Sequence, residues 1–150
     1  MYDRYADIEK FITDPDKLQI VNGSEVYISS EYDYDIAVDL QGRVEDFEQL
    51  KPFIILVAKS ICELDNTVQK FEYQHNWIAL SPSILLSEPP FYYDIETIFI
   101  NDPYIILKYW GTEEDRDFDV VFEFKNGKFV LRNFDTVRDI PEDWEDMTPN

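Results

Sequence analysis

The dipeptide Asn126-Gly127 constrains the fold of this chain more strongly than any other feature of its sequence. Asn-Gly is the strongest local signal for a two-residue β-hairpin turn, because both residues tolerate the left-handed backbone angles that this turn requires. Such a loop pairs the residues around it as follows, from the turn outwards: Lys125 with Lys128, Phe124 with Phe129, Glu123 with Val130, Phe122 with Leu131 and Val121 with Arg132.

This register sorts the side chains of the hairpin onto two faces. One face is apolar throughout: Phe118, Val120, Phe122, Phe124, Phe129 and Leu131. The opposite face is mixed and mostly charged: Asp117, Asp119, Val121, Glu123, Val130 and Arg132. A register shifted by one residue would bury Asp119 and Glu123 without partners, which is strongly unfavourable. The turn and the alternation of side chains therefore predict the same pairing.

The second half of the chain alternates with a period of two, which is typical of strands. Four strands are predicted in quick succession: Ile95–Ile100, Tyr104–Trp110, Phe118–Phe124 and Lys128–Phe134. Their short connections predict an antiparallel meander. A further short strand is predicted before it, from Trp77 to Leu80.

One long stretch instead shows the period of a helix. From Val44 to Phe71, apolar residues recur at steps of three or four: Leu50, Phe53, Val57, Ile61, Leu64, Val68 and Phe71. Because proline clashes inside a helix, Pro52 predicts a short helix over Val44–Gln49 and a long one that begins at Pro52. Cys62 falls beside the apolar stripe, and four residues fall on the predicted solvent side: Glu63, Asp65, Asn66 and Gln69.

The N-terminal region carries weaker patterns. Residues 1–13 have the spacing of a short amphipathic helix with Tyr5 and Ile8 on one side. Apolar residues on either side of Asn22-Gly23 predict a hairpin with a two-residue turn. The stretch Ile36–Val38 is a candidate strand, although aspartates surround it.

These elements predict an α+β fold in one domain that spans residues 1–150. Its antiparallel sheet comprises the C-terminal four-stranded meander and the N-terminal hairpin. The long helix packs on one face, because its apolar stripe matches the apolar face of the sheet. At 150 residues, a chain of which 45% is hydrophobic has enough material for one core.

The charge restricts the partners. The chain has 32 acidic and 13 basic residues, a net charge of −19. Such a charge repels phosphate backbones and anionic headgroups, so no nucleic acid and no membrane surface is expected as a partner. A charged partner should be a basic protein or a metal cation. The alternative is that the acidity serves only solubility.

The residues that common enzymes and cofactor sites need are scarce. All four glycines are isolated, so no phosphate-binding loop is expected. His75 and Cys62 are single residues of their types, too few for a usual zinc site or an intrachain disulfide. The acidic run 112–119 has the spacing of a calcium loop, but Val120 occupies the position of its glycine. The sequence predicts no catalytic residue, no cofactor and no metal site. The N-terminus lacks a signal-peptide pattern, so a cytoplasmic protein is expected.

The acidic run has another interpretation, as a hairpin loop between two strands. Its carboxylates and the aromatic residue at its base form the predicted partner-binding site: Trp110, Glu113, Glu114, Asp115, Asp117, Asp119 and Glu123. An aromatic ring among acids suits a basic protein, since charge raises the association rate and the ring buries area. The alternative is a solvated loop and a tryptophan that covers the edge of the sheet.

Two parts of the chain resemble small acidic immunity proteins of bacterial toxin–immunity systems. They are Ile61–Gln69 on the long helix and the stretch that leads from Tyr109–Glu113 into Phe118–Glu123. The resemblance implies a cytoplasmic, non-enzymatic protein that binds and blocks a cognate toxin, often a basic nuclease. It assigns a role to no individual residue.

Three functions stay open at this point. The first is an inhibitor that occludes a basic protein toxin. The second is a hydrolase or cation-dependent enzyme that uses carboxylates, and the third is an acidic assembly module. Dimerisation also stays open, because the outer face of the sheet is expected to expose Phe99, Trp110, Val121 and Val130.

Overall fold

The computed structural model of the chain describes residues 5, 8, 20–21, 25–29, 35–75, 93–111, 116–134 and 148. Seven strands and one long helix lie within these residues: β1 (Ile20–Val21), β2 (Glu25–Ser29), β3 (Asp35–Asp39), α1 (Phe47–His75), β4 (Tyr93–Asn101), β5 (Tyr104–Gly111), β6 (Arg116–Lys125) and β7 (Lys128–Phe134). A 3-10 turn over Val44–Asp46 precedes α1. The α+β class is confirmed. The predicted strand Trp77–Leu80 lies outside the described residues.

The strands form one sheet in the order of the sequence, from β1 to β7. Neighbouring strands are antiparallel from β1 to β3 and from β4 to β7, but β3 and β4 are parallel. The prediction of an antiparallel sheet is therefore wrong in this detail, since the sheet is mixed. The reason is the connection: α1 lies between β3 and β4 in the chain, and a crossover through a helix returns the chain in the same direction.

The pairing around Asn126-Gly127 follows the predicted register over four pairs, from Lys125 with Lys128 to Phe122 with Leu131. Both turn residues have positive φ angles, 55° and 80°. The fifth predicted pair is wrong, because Val121 lies opposite Asn133. A β-bulge inserts Arg132 as an additional residue in β7 at this point.

The N-terminal hairpin closes differently from the prediction. Its last pair is Val21 with Glu25, so three residues, 22–24, connect β1 to β2 where a two-residue turn is predicted. Those three residues lie outside the described ones.

The long helix begins earlier than predicted. It runs unbroken from Phe47 for 29 residues, with Pro52 inside it. Pro52 lacks the N–H that would bond the carbonyl of Glu48, but both residues are exposed. The carbonyl without an intrahelical donor therefore lies on the solvent side, where water can bond to it. Within the described residues, none of the helices combines the length and apolar character that crossing a membrane requires.

The apolar stripe of α1 packs on one face of the sheet. The helix contributes Leu50, Ile54, Val57, Ile61, Leu64, Val68 and Phe71 to a core that also contains Ile98, Leu107, Val120 and Leu131 from the strands. Near the hairpin, the ring of Phe53 lies 6.3 Å from that of Phe124 and 6.2 Å from that of Phe129.

Two N-terminal residues complete the same core. Tyr5 and Ile8 are both buried, as expected for residues on the same side of the predicted N-terminal helix. The Tyr5 hydroxyl accepts a hydrogen bond from the Ile95 N–H, 2.9 Å away. Ile95 borders the irregularity in the β4–β5 pairing, so the tyrosine supplies an acceptor where the regular ladder is interrupted.

Candidate functional site

The predicted partner-binding residues that the structure describes lie on the face of the sheet opposite α1, here called the outer face: Trp110, Asp117, Asp119 and Glu123. Trp110 lies on it near the end of β5 and is 37% exposed. Among the described residues it is the one large hydrophobic side chain that is exposed. The strand register places Asp94 of β4 on one side of it and Asp117 of β6 on the other. These three exposed residues form a cross-strand row, the Trp110 row.

In the next cross-strand row of the outer face, the residue on β5 is basic. Lys108 pairs with Asp119 across the β5–β6 ladder, and its Nζ lies 3.7 Å from Asp117 Oδ2. Both Lys108 and Asp119 are partly buried, whereas Asp117 is exposed. An ion pair of this length at the surface contributes little to stability, so Asp117 stays accessible to a stronger cationic partner.

Glu123 lies away from the Trp110 row. It is six residues beyond Asp117 on β6, a distance of roughly 20 Å along an extended strand. Its carboxylate Oε1 accepts hydrogen bonds from Nε and Nη2 of Arg132, at 3.0 and 2.8 Å. The hydrogen bond from Arg132 holds the pKa of the Glu123 carboxyl below its ordinary value, against a smaller opposing effect of desolvation. Its charge is thus matched within the molecule.

Three of the predicted residues, Glu113, Glu114 and Asp115, lie outside the described part of the chain. Of the others, the structure brings Trp110, Asp117 and Asp119 together and separates Glu123 from them. It also adds Asp94, which sequence analysis missed. Asp94 could be predicted only from the pairing of β4 with β5. The turn between these strands has no Asn-Gly dipeptide, so the sequence does not indicate their register.

The apolar part of the outer face is less exposed than expected. Val121 is 6% exposed and Val130 is 5% exposed, so the expectation that they lie open on this face is wrong. Phe99 and Ile106, which pair across the β4–β5 ladder, are partly buried. Thr148 lies beside β7, the strand of Val130, since its hydroxyl accepts a hydrogen bond from the Leu131 N–H at 3.0 Å. Trp110 therefore dominates the apolar surface that the described residues offer on this face.

A second group of polar residues lies inside, between α1 and the sheet. Asp65 and Gln69 are predicted on the solvent side of the helix, but they are 1% and 0% exposed. Asp65 Oδ1 accepts a hydrogen bond of 2.6 Å from the Tyr109 hydroxyl, and Asp65 Oδ2 accepts one of 2.9 Å from Gln69 Nε2. We call these three residues the buried polar centre. Glu72, two turns beyond Asp65 on the same helical side, is buried too.

Aromatic rings pack closely beside the buried polar centre. The ring of Tyr109 stacks on Phe118 with centroids 5.0 Å apart, and Phe118 meets Tyr93 edge-on at 5.1 Å. Tyr93 in turn occupies the space over Gly111, where an added Cβ would lie 2.3 Å from its ring. Both oxygens of Asp65 thus bond side chains of the protein itself in a closely packed region. The Tyr109–Asp65 hydrogen bond joins β5 to α1.

The described residues offer little for a metal centre or a nucleophile. In the described part of the chain, no group of three or more His, Cys, Asp or Glu side chains is arranged to hold a metal ion. Cys62 is partly buried on α1 and its Sγ lies 3.8 Å from Asn66 Nδ2. The side chain of His75 lies outside the described residues.

Comparisons with known proteins leave the Trp110 row to be interpreted from its own chemistry. No protein-family model matches the chain, and no curated protein or solved structure is significantly similar to it.

Proposed function

We propose that this chain is a non-enzymatic, cytoplasmic acidic protein that binds and occludes a basic protein. The partner that suits it best is the cognate toxin of a bacterial toxin–immunity pair. The observation that supports the proposal is the Trp110 row: an exposed indole with an exposed carboxylate on each neighbouring strand. Tryptophan is enriched among the residues that dominate binding interfaces, because its large ring buries apolar area while its N–H can bond a partner.

The chemistry of the row favours an arginine or lysine side chain. A guanidinium group over the indole face of Trp110 gains cation–π attraction, and Asp94 and Asp117 stand on either side to accept its N–H groups. Arginine is the better fit, because its planar group stacks on rings and bonds carboxylates at the same time. The row thus combines the two components of a binding hot spot, buried aromatic area and complementary charge.

The overall charge would act before contact is made. A net charge of −19 attracts a basic partner over the range of a Debye length, about 8 Å at physiological salt, and raises the association rate. If the partner is a nuclease, carboxylates of the outer face would take the places of substrate phosphates. Inhibition then follows from occlusion and requires no chemistry by this chain.

The experiment is affinity capture of the tagged protein from its own cells, followed by mass spectrometry at low and at high salt. Wild type is compared with Trp110→Ala and with the double variant Asp94→Asn/Asp117→Asn. The matched control is Glu45→Gln/Glu48→Gln, which removes the same charge from exposed positions in the 3-10 turn before α1 and in the first turn of α1. We expect one basic protein in stoichiometric amount with wild type and control, and its loss with both outer-face variants.

Two results would contradict the proposal. Equal capture by all four proteins would exclude the Trp110 row as the contact. Absence of any stoichiometric basic protein with wild type at either salt would remove the inhibitor function and favour an assembly module or an enzyme with a small substrate.

A further inference from the structure

A cleft opens on the helix side of the sheet, between α1 and the β6–β7 hairpin. Its volume is about 160 Å³. Residues from both elements line it: Leu56, Ser60, Glu63, Leu64, Thr67, Phe124, Gly127, Lys128 and Phe129. We call it the hairpin cleft. It lies on the opposite face of the sheet from the Trp110 row and at the opposite end of β6, so it is a separate site.

The apolar lining sets the size of a group that fits. Leu56 and Leu64 come from the helix, and Phe124 and Phe129 from the hairpin, where their ring centroids are 5.0 Å apart. An apolar cavity of about 150 Å³ holds one benzene molecule. The hairpin cleft therefore accommodates one aromatic ring or one branched aliphatic side chain, and it is too small for a drug-sized ligand.

The polar lining of the helix wall consists of acceptors. The Ser60 hydroxyl donates to the Leu56 carbonyl at 2.8 Å, and the Thr67 hydroxyl donates to the Glu63 carbonyl at 3.0 Å. Each hydroxyl has thus used its proton and keeps lone pairs for a ligand. With the exposed carboxylate of Glu63, this wall favours a group that donates several hydrogen bonds, such as an ammonium.

The hairpin wall carries the opposite charge. Lys128 is the one basic residue in the lining, and its ammonium has three donors for an anion. Neither Glu63 nor Lys128 forms an ion pair with another residue in the part of the chain that the structure describes. The lining therefore offers one carboxylate and one ammonium, on different walls, together with apolar side chains from both walls.

We infer that the hairpin cleft binds an apolar α-amino acid in its zwitterionic form. Its side chain occupies the space between the leucines and phenylalanines, its ammonium meets Glu63, and its carboxylate meets Lys128. The three parts of such a ligand match the three parts of the lining in polarity, and the ring or branched chain matches it in size. The inference is independent of the proposed function, because it uses no residue of the Trp110 row.

The test is a titration followed by amide NMR, with the Gly127 signal as the reporter, since Gly127 lines the cleft. Three probes differ by one charged group each: L-phenylalanine, 3-phenylpropanoate without the ammonium, and phenethylamine without the carboxylate. We expect saturable shifts with L-phenylalanine, and a dissociation constant weaker by about 2- to 5-fold for each truncated probe, as for the loss of one exposed ion pair.

Variants assign each contact. Glu63→Gln should weaken L-phenylalanine but leave 3-phenylpropanoate unchanged, and Lys128→Gln should weaken L-phenylalanine but leave phenethylamine unchanged. Ser60→Leu fills the cleft and should abolish the shifts with every probe. Glu48→Gln, exposed on the same helix outside the lining, is the matched control. Amide spectra with the dispersion of wild type show that each variant is folded.

Three outcomes would overturn the inference. The first is no saturable shift of Gly127 with L-phenylalanine. The second is equal affinity for all three probes, which would mean that the two charged residues have no role. The third is unchanged binding in the Ser60→Leu variant, which would place the ligand elsewhere.

Discussion

The two faces of the sheet hold their acidic side chains in different ways. On the helix side, Asp65 is buried and bonds the Tyr109 hydroxyl and the Gln69 amide. On the outer face, Asp117 is exposed beside Trp110 and meets Lys108 only at 3.7 Å. The first arrangement cannot be changed without loss of buried hydrogen bonds, whereas the second leaves the carboxylate available. Position in the fold, and not acidity, thus separates structural carboxylates from those suited to binding.

The largest effect on stability is expected from a substitution in the buried polar centre. Asp65→Ala removes the buried hydrogen bonds that the Tyr109 hydroxyl and the Gln69 amide donate to the carboxylate, so we expect the free energy of unfolding to fall by about 3 kcal/mol. Urea unfolding at neutral pH measures it. Glu63→Ala, two residues earlier but exposed on the helix, is the control, with an expected change within about 0.5 kcal/mol. A loss of unfolding free energy for Asp65→Ala as small as that expected for Glu63→Ala would show that Asp65 has no structural role.

The next effect concerns the aromatic packing beside the same centre. Gly111→Ala places a Cβ against the ring of Tyr93, 2.3 Å away, so that ring must move. We expect a loss of about 2 kcal/mol in unfolding free energy, as for other overpacked cores. The same substitution made in a Tyr93→Leu background should cost less, because the colliding ring is gone. An undiminished cost in that background would place the strain in the backbone.

A smaller effect is expected from Glu123, an acid of the outer face that bonds Arg132. Its hydrogen bond from Arg132 lowers its pKa below the ordinary 4.5, so it stabilises the fold at neutral pH. That contribution is present above pH 4.5 and is lost as the pH falls through the lowered pKa. We expect Glu123→Gln to be less stable than wild type at pH 7, with a difference that shrinks below pH 4.5.

The measurement is urea unfolding of both proteins from pH 7 to pH 3. Asp117→Asn, on the same strand, is the control for the removal of one carboxylate. A difference for Glu123→Gln that stays constant or grows towards low pH would contradict this description of the ion pair.

The smallest effect on stability is expected for Trp110 on the outer face. Trp110 is 37% exposed and is not part of the core cluster, so Trp110→Ala should lower the free energy of unfolding by about 1 kcal/mol, well below the loss for Asp65→Ala. Together with a loss of partner binding, this result would assign the residue to recognition. A loss as large as that of Asp65→Ala would instead make Trp110 a structural residue that covers the sheet.

Much of the fold could be predicted because its signals are local. The register from Lys125–Lys128 to Phe122–Leu131 follows from one dipeptide and an alternating pattern. The stripe of α1 follows from its helical spacing. Two errors arose where the surroundings of a residue, and not its local pattern, decided the structure. Pro52 is tolerated inside the helix because it is exposed to solvent. The β-bulge at Arg132 has no marker in the sequence.

The candidate site divides in the same way. Trp110, Asp117 and Asp119 could be predicted because they belong to two strands joined by one loop. Asp94 could not, since its place beside Trp110 depends on the register of a third strand. The buried state of Asp65 and Gln69 was missed because they border the apolar stripe, where a polar residue is ordinarily exposed. The Tyr109 hydroxyl approaches from the sheet and donates a hydrogen bond to Asp65, which favours the burial of this carboxylate.

The sequence by itself determined the strands of the meander, the long helix and the excess of negative charge. Each of these depends on residue type and on spacing along the chain. The tertiary structure alone decided that β3 and β4 run parallel, which carboxylates are buried, and which two flank Trp110. Those properties depend on which segments become neighbours, and neighbours in space are set by the packing of the whole core.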